Sequence, residues 1–228
     1  MEEHNHMLYN VLLQADLDDM FNLCHVSHMA FKICHDPYFL NNKFDMLKIY
    51  KPMLHTFNNL LYINSLIQLS IKLIDFMKEI DGIRFDFLNL RGDDKAYIIE
   101  IKKFSPDLYD QLIAISNDLT SPYITMINVP LNTKPILTDP FYGHIEFLSL
   151  MYKDNQYYLY TDINFPHFIE SMIPIEESKL IEYVVNIFLN YDMFYIGRWG
   201  YLDNYIFNKS NLEKFLLNNP NDIEWEEA

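Results

Sequence analysis

From Met7 to about Phe44 the apolar positions recur three and four residues apart: Met7, Leu8, Val11 and Leu12, then Leu17, Met20 and Leu23, then Val26, Ala30 and Ile33. This spacing predicts short amphipathic helices, with Asp16 placed to cap the second. Residues 48–80 continue at the same period, with Ile63, Leu66, Ile67, Ile74 and Met77 on one face, until Asp81-Gly82 stops the helix. Beyond that point the period falls to two. IRFDFLNL and KAYIIEIKKF alternate on either side of Gly92-Asp93-Asp94, which predicts a β-hairpin. Pro106 to Leu119 reads as helix again and YITMINV as an apolar strand.

After the proline-punctuated stretch Pro130 to Pro140, IEFLSLMY and QYYLYTDI form a second expected hairpin, joined by Lys153-Asp154-Asn155. Ile175 to Leu189 is an amphipathic helix, and Lys209 to Asn218 a last one, ended by Asn219-Pro220 before the acidic tail DIEWEEA. The expectation is an α+β fold: an N-terminal helical module over residues 1–46, connecting helices over 47–80, and an α+β interaction domain over 81–228 with two β-hairpins and flanking helices.

Composition narrows the functions. Half of the 228 residues are hydrophobic, enough for a packed core, and the net charge of −15 repels a phosphate backbone. Protein partners are expected and nucleic acid is not. The most apolar run, Leu60 to Met77, is interrupted by Asn64, Ser65, Gln68, Ser70, Lys72 and Asp75, so it is read as a helix of a soluble protein with no membrane role. The N-terminus MEEHNH lacks the basic and apolar runs of a signal peptide, and two cysteines close together make no disulfide framework. A reducing, intracellular compartment is expected.

Both cysteines lie in LCHVSHMAFKICHDPYF, beside His25, His28 and His35. On one continuous helix Cys24, His28 and His35 would fall within about 40° of one another, a convergence that could hold a metal. A structural zinc needs a fourth ligand from another direction, and Asp36-Pro37 ends any helix at the third candidate. The cluster is therefore read as buried cysteine, packed as a small hydrophobe, with exposed histidines and no metal.

The same region, NVLLQADLDDMFNLCHVS with ICHDPYF, resembles the F-box-like motif in the form found in large DNA viruses. Asp19-Met20 stands where the family has Asp-Leu, followed by Leu23, Val26-Ser27, Ile33, Asp36 and Phe39, the last at a frequent Trp position. Ala15 takes the place of a core leucine, and Ala30, with Phe31 one residue later, that of a Phe or Trp. The resemblance implies a viral adaptor without cofactor, in the host cytoplasm, that joins a target protein to the linker subunit of a cullin-RING ubiquitin ligase. Under it Leu12, Met20, Leu23, Val26, Ile33 and Phe39 form the module core and part of its docking face. Apolar anchors at helical spacing would equally serve a structural virion protein.

A second set carries chemistry: Asp86, Glu100, Lys102 and Gln111. Strand alternation puts Ile98, Glu100 and Lys102 on one face of AYIIEIKK, so a carboxylate and an ammonium point the same way. The pattern D-x13-E-x-K after a helix, then a helix with Gln111-Leu112 and a strand, makes residues 63–130 similar to the PD-(D/E)XK nuclease core. That resemblance implies Mg²⁺ held by Asp86 and Glu100, with Lys102 steadying the attacking water. A degenerate core would serve as a binding platform. There is no basic cluster nearby beyond Arg84, Lys102 and Lys103, so adaptor is the leading expectation, with nuclease and structural virion protein as alternatives. Gly92-Asp93-Asp94 is a turn, and the aromatic stretch YIGRWGYLDNY around Arg198 is read as a core corner before a recognition pocket.

Overall fold

Side-chain caps set the N-terminal helices. In the computed structural model, which describes residues 2–49, 51–89, 144–164, 168–198 and 204–218, five helices come first: α1 (Glu2–Gln14), α2 (Leu17–Val26), α3 (His28–Cys34), α4 (Pro37–Met46) and α5 (Phe57–Lys78). Asp16, Ser27, Asp36 and Thr56 each accept a hydrogen bond from a backbone N–H of the turn they precede, and Pro37 opens α4 where its missing N–H costs nothing. Helix does not run from residue 48, as the periodicity suggested. Lys48 adopts a left-handed φ of 48°, and Pro52 has no N–H to donate, so helix resumes only after Thr56.

The remaining elements are β1 (Ile83–Asn89), β2 (His144–Lys153), β3 (Gln156–Asn164), β4 (Phe168–Pro174), α6 (Glu177–Asn190), β5 (Met193–Arg198), β6 (Asn204–Asn208) and α7 (Lys209–Leu217). The strands form one sheet in the order β4-β3-β2-β1-β5-β6, every neighbouring pair antiparallel. The chain is thus α+β, as expected. The β2–β3 hairpin falls where the sequence puts it, turned by Asp154 (φ 50°) and Asn155 (φ 62°), the positive pair that matches the twist of a two-residue hairpin.

The first expected hairpin differs. Its second strand KAYIIEIKKF, the Pro106–Leu119 helix and the YITMINV strand lie outside the described residues. Along Ile83–Asp86, β1 has β2 on one edge and β5 on the other, so those residues have no free edge for a hairpin partner. Strands β4, β5 and β6 were not foreseen, and YIGRWGYLDNY supplies parts of β5 and β6.

Ile83 and Phe85 put their side chains on the sheet face that packs on α6, where the Phe85, Phe188 and Phe194 rings meet at centroid distances of 5.2–6.0 Å. Helix α5 buries Leu60, Ile63, Leu66, Leu73 and Met77, and a single core cluster extends from Leu12 of α1 to Leu212 of α7. By length and composition α5 is also apolar enough to cross a membrane, the one such helix among the described residues. In this fold half of that apolar stretch is buried against protein.

Two helices lack a basic residue in their last turn, α1 and α6, and each borrows a lysine from elsewhere. Lys51 Nζ donates to Leu189 O at 2.6 Å. Lys43, only 4% exposed, donates to Leu12 O, Leu13 O and Ala15 O at 3.3, 2.8 and 2.5 Å. Three N–H bonds of one ammonium meet three orphan carbonyls, and the cation sits at the negative end of the helix. Burial pushes the Lys43 pKa below the usual lysine range, while Asp16 pulls it back up. Replacing Lys43→Met keeps most of the volume but strands these carbonyls. Urea unfolding should then show a loss of about 2–3 kcal/mol, the scale of hydrogen bonds to a charged group.

Candidate functional site

Ser27 divides the segment that carried the metal and docking expectations. Its backbone is extended (φ −127°, ψ 116°), ending α2, and its Oγ accepts from Ala30 N at 3.2 Å, starting α3. Cys24, His28 and His35 are therefore not on one helix, and the angular convergence assumed for them is lost. All three histidines of the segment are exposed, and Nδ1 of His25 and of His35 lie 2.7 and 2.9 Å from Phe21 O and Phe31 O. Among the described residues no cluster of three potential ligands is present.

The cysteines need a correction. Both are buried, as expected, but not as separate hydrophobes: Cys24 and Cys34 are joined by a disulfide across α2 and α3, with Cα atoms 6.5 Å apart, inside the range such a bridge spans. Ten residues separate them. The hinge at Ser27 makes the pairing possible, because it folds α3 back on α2.

The six residues singled out by the F-box resemblance separate into two groups. Leu12, Met20 and Phe39 are completely buried, which suits module core and not a docking face. Leu23 and Ile33 are half-buried against the same core, and Val26, at 82% exposed, stands in solvent. Around Val26 the junction also exposes Met29 and Phe31, the latter at 48%. Phe31 is braced by His35 at a ring distance of 4.1 Å, and His35 by Phe57 of α5 at 4.2 Å. A rigid, partly apolar surface results, of the sort that anchors protein contacts. An acidic residue at Met20 would break the core, so Val26 and Phe31 are the positions that test docking.

Of the nuclease set, Glu100, Lys102 and Gln111 lie outside the described residues, and Asp86 lies at the centre of the sheet. On β1 the side chains of Arg84 and Asp86 share the face opposite the aromatic core. Asp86 is 1% exposed. Its Oδ1 lies 3.2 Å from Arg84 Nε, its Oδ2 accepts from Arg84 Nη2 at 3.3 Å, and Ser149 Oγ donates to Oδ1 at 2.5 Å from the strand position directly across. The Arg84 guanidinium in turn lies 5.8 Å from the Tyr160 ring centroid. Burial raises the Asp86 pKa, and Arg84 and Ser149 oppose that rise. The carboxylate is enclosed and its oxygens are engaged, which is the arrangement of a structural ion pair.

Sequence reasoning picked out Asp86 but neither of its partners. Arg84 was legible, two residues away on an alternating strand; Ser149 was not, since it lies 63 residues on. An open pocket of about 540 Å³ beside the start of α6 was also unforeseen. Several of its polar groups already have partners: Lys78 pairs with Glu177 at 2.8 Å, Tyr157 donates to Ile74 O and Tyr152 to Asn155 Oδ1, each at 2.7 Å. No family model, curated protein or solved structure matches the chain.

The ion pair makes a prediction with a definite sign. Removing the guanidinium by Arg84→Met leaves Asp86 buried without its cation and should cost about 3–5 kcal/mol at neutral pH. Because the folded pKa of Asp86 is already raised, and would rise further, the folded state takes up its proton more readily than the unfolded chain. Stability lost at pH 7 should be recovered as the pH falls through the folded pKa toward the ordinary carboxylate value of about 4. Thermal unfolding of wild type and variant across that range checks it, and an equal deficit at every pH would contradict the assignment.

Proposed function

We propose that the chain is a non-enzymatic adaptor of viral origin. Its N-terminal helices dock on the linker subunit of a cullin-RING ubiquitin ligase, and its C-terminal α+β portion holds the protein to be modified. The observation that carries this reading is the apolar surface at the α2–α3 junction, where Val26, Met29 and Phe31 are exposed on helices whose other apolar residues are buried or half-buried. Such side chains at a rigid helix turn suit a groove on a partner. The host cytoplasm is the compartment this role requires, and neither metal nor cofactor enters it.

The nuclease alternative draws less support. A metal site needs a carboxylate open to the ion and to a polyanion, and Asp86 is enclosed and held by Arg84 and Ser149. We expect no cleavage of plasmid or labelled RNA with Mg²⁺ or Mn²⁺. Cleavage by wild type that disappears in Lys102→Ala would replace the adaptor reading with the nuclease.

Co-purification and titration with the linker subunit test the adaptor directly. A complex tighter than roughly 10 µM is expected, a modest demand for an interface of ordinary size. Val26→Asp and Phe31→Asp, both at exposed positions, should each weaken it about tenfold or more in protein that still unfolds cooperatively. No complex at that concentration would shift the reading to a structural virion protein.

A further inference from the structure

We propose that Cys24 and Cys34 form a reversible thiol–disulfide clip that sets the rigidity of the α2–α3 junction, and with it the presentation of Val26, Met29 and Phe31. Its regulatory consequence rests on the adaptor reading above; the clip itself does not. All three exposed apolar residues lie inside the ten-residue span that the disulfide closes. The bond therefore constrains the loop that carries them and no other part of the chain.

Two features favour exchange over a permanent staple. Between Met20 and His35 the chain has no carboxylate, although it contains 32 in all, and the stretch carries Lys32 with His25, His28 and His35. Lys32, two residues from Cys34, favours the thiolate, the species that attacks a disulfide, and Asp36, two residues on the other side, is the nearest acid in sequence to oppose it. Helix α3 has seven residues, too few to persist without tertiary support, so it can lift and expose the sulfurs at less cost than global unfolding.

The chemistry balances with a low-molecular-weight disulfide such as oxidised glutathione. One cysteine thiolate attacks it, forming a mixed disulfide and releasing one glutathione thiolate. The second cysteine thiolate then attacks the protein sulfur of the mixed disulfide, closing Cys24–Cys34 and releasing the second. Two protein thiols are oxidised, one glutathione disulfide becomes two glutathione molecules, and reduced glutathione reverses the steps.

The full chain, equilibrated without denaturant in glutathione buffers of graded ratio, acid-quenched and alkylated, reports the number of free thiols by mass. The count should pass from two to zero across the series and return when the ratio is reversed. Native hydrogen exchange should show the α3 amides exchanging about tenfold or more faster in the reduced form, because a closed loop no longer limits opening. Cys24→Ala should show the fast exchange in every buffer. If that variant does not fold, wild type with reduced glutathione supplies the same comparison. A pair that stays oxidised in all native buffers and reacts only in urea, or one that never closes, overturns the proposal. Titrating the linker subunit into both redox forms separates the two readings. Reversible thiols with no binding in either form would sink the adaptor and leave the clip standing.

Discussion

Helix α5 has more apolar surface than one neighbour can cover. Leu60, Ile63, Leu66, Leu69, Leu73, Ile74, Phe76 and Met77 are all buried, and they spread around much of its circumference. In water such a helix must be packed on several sides. That is the arrangement found, with α2 near its N-terminal half, α6 alongside it and α7 against Phe76 through Phe215. The N-terminal helices and the sheet share one core because both are fastened to α5, and Tyr157 of β3 seals the contact by donating to Ile74 O.

With α5 fixed, the helix ends become the exposed weakness of the fold, since four carbonyls at each C-terminus have no partner within the helix. Neither α1 nor α6 carries a local basic residue to meet them. Lys43 and Lys51 do so from distant positions, and they also hold α4 and the segment before Thr56 in place. One interaction thus serves both capping and tertiary assembly. Asn186 reinforces the second case by donating to Lys48 O from the buried face of α6.

The parts of this fold legible in the sequence were those whose signals are local. Asp16 marked α2, Asp81-Gly82 the end of α5, and Asp154-Asn155 a hairpin that needs two positive φ angles. What escaped was long-range. β1 looked like the first half of a hairpin, yet along Ile83–Asp86 it is bounded by strands that begin more than fifty residues later, and nothing in IRFDFLNL could name β2 or β5 as neighbours. The site suffered likewise: Asp86 drew notice as a metal-holding acid paired with Glu100, while the Ser149 hydroxyl that changes its character comes from the far strand. The cysteines were misread for a related reason. One extended residue, Ser27, folds α3 back on α2, and only that turn brings the sulfurs together.

The same bookkeeping of partners bears on what the surface can attract. Of the cations, Lys43 and Lys51 are committed to helix ends, Arg84 to Asp86, and Arg198 to Asp81 O. Lys78 pairs with Glu177, and Lys209 with Asp192. In both exposed pairs the lysine partner holds the acid's pKa below the usual carboxylate range. Three of these cations offset acids and three serve carbonyls, which carry no formal charge, so the 32 acidic residues still outnumber the 17 basic ones and leave the net charge of −15. A polyanion approaching that surface meets repulsion at every range the solvent does not screen. A basic or apolar protein surface does not. The electrostatics therefore disfavour a polyanionic ligand, independently of how Asp86 is disposed.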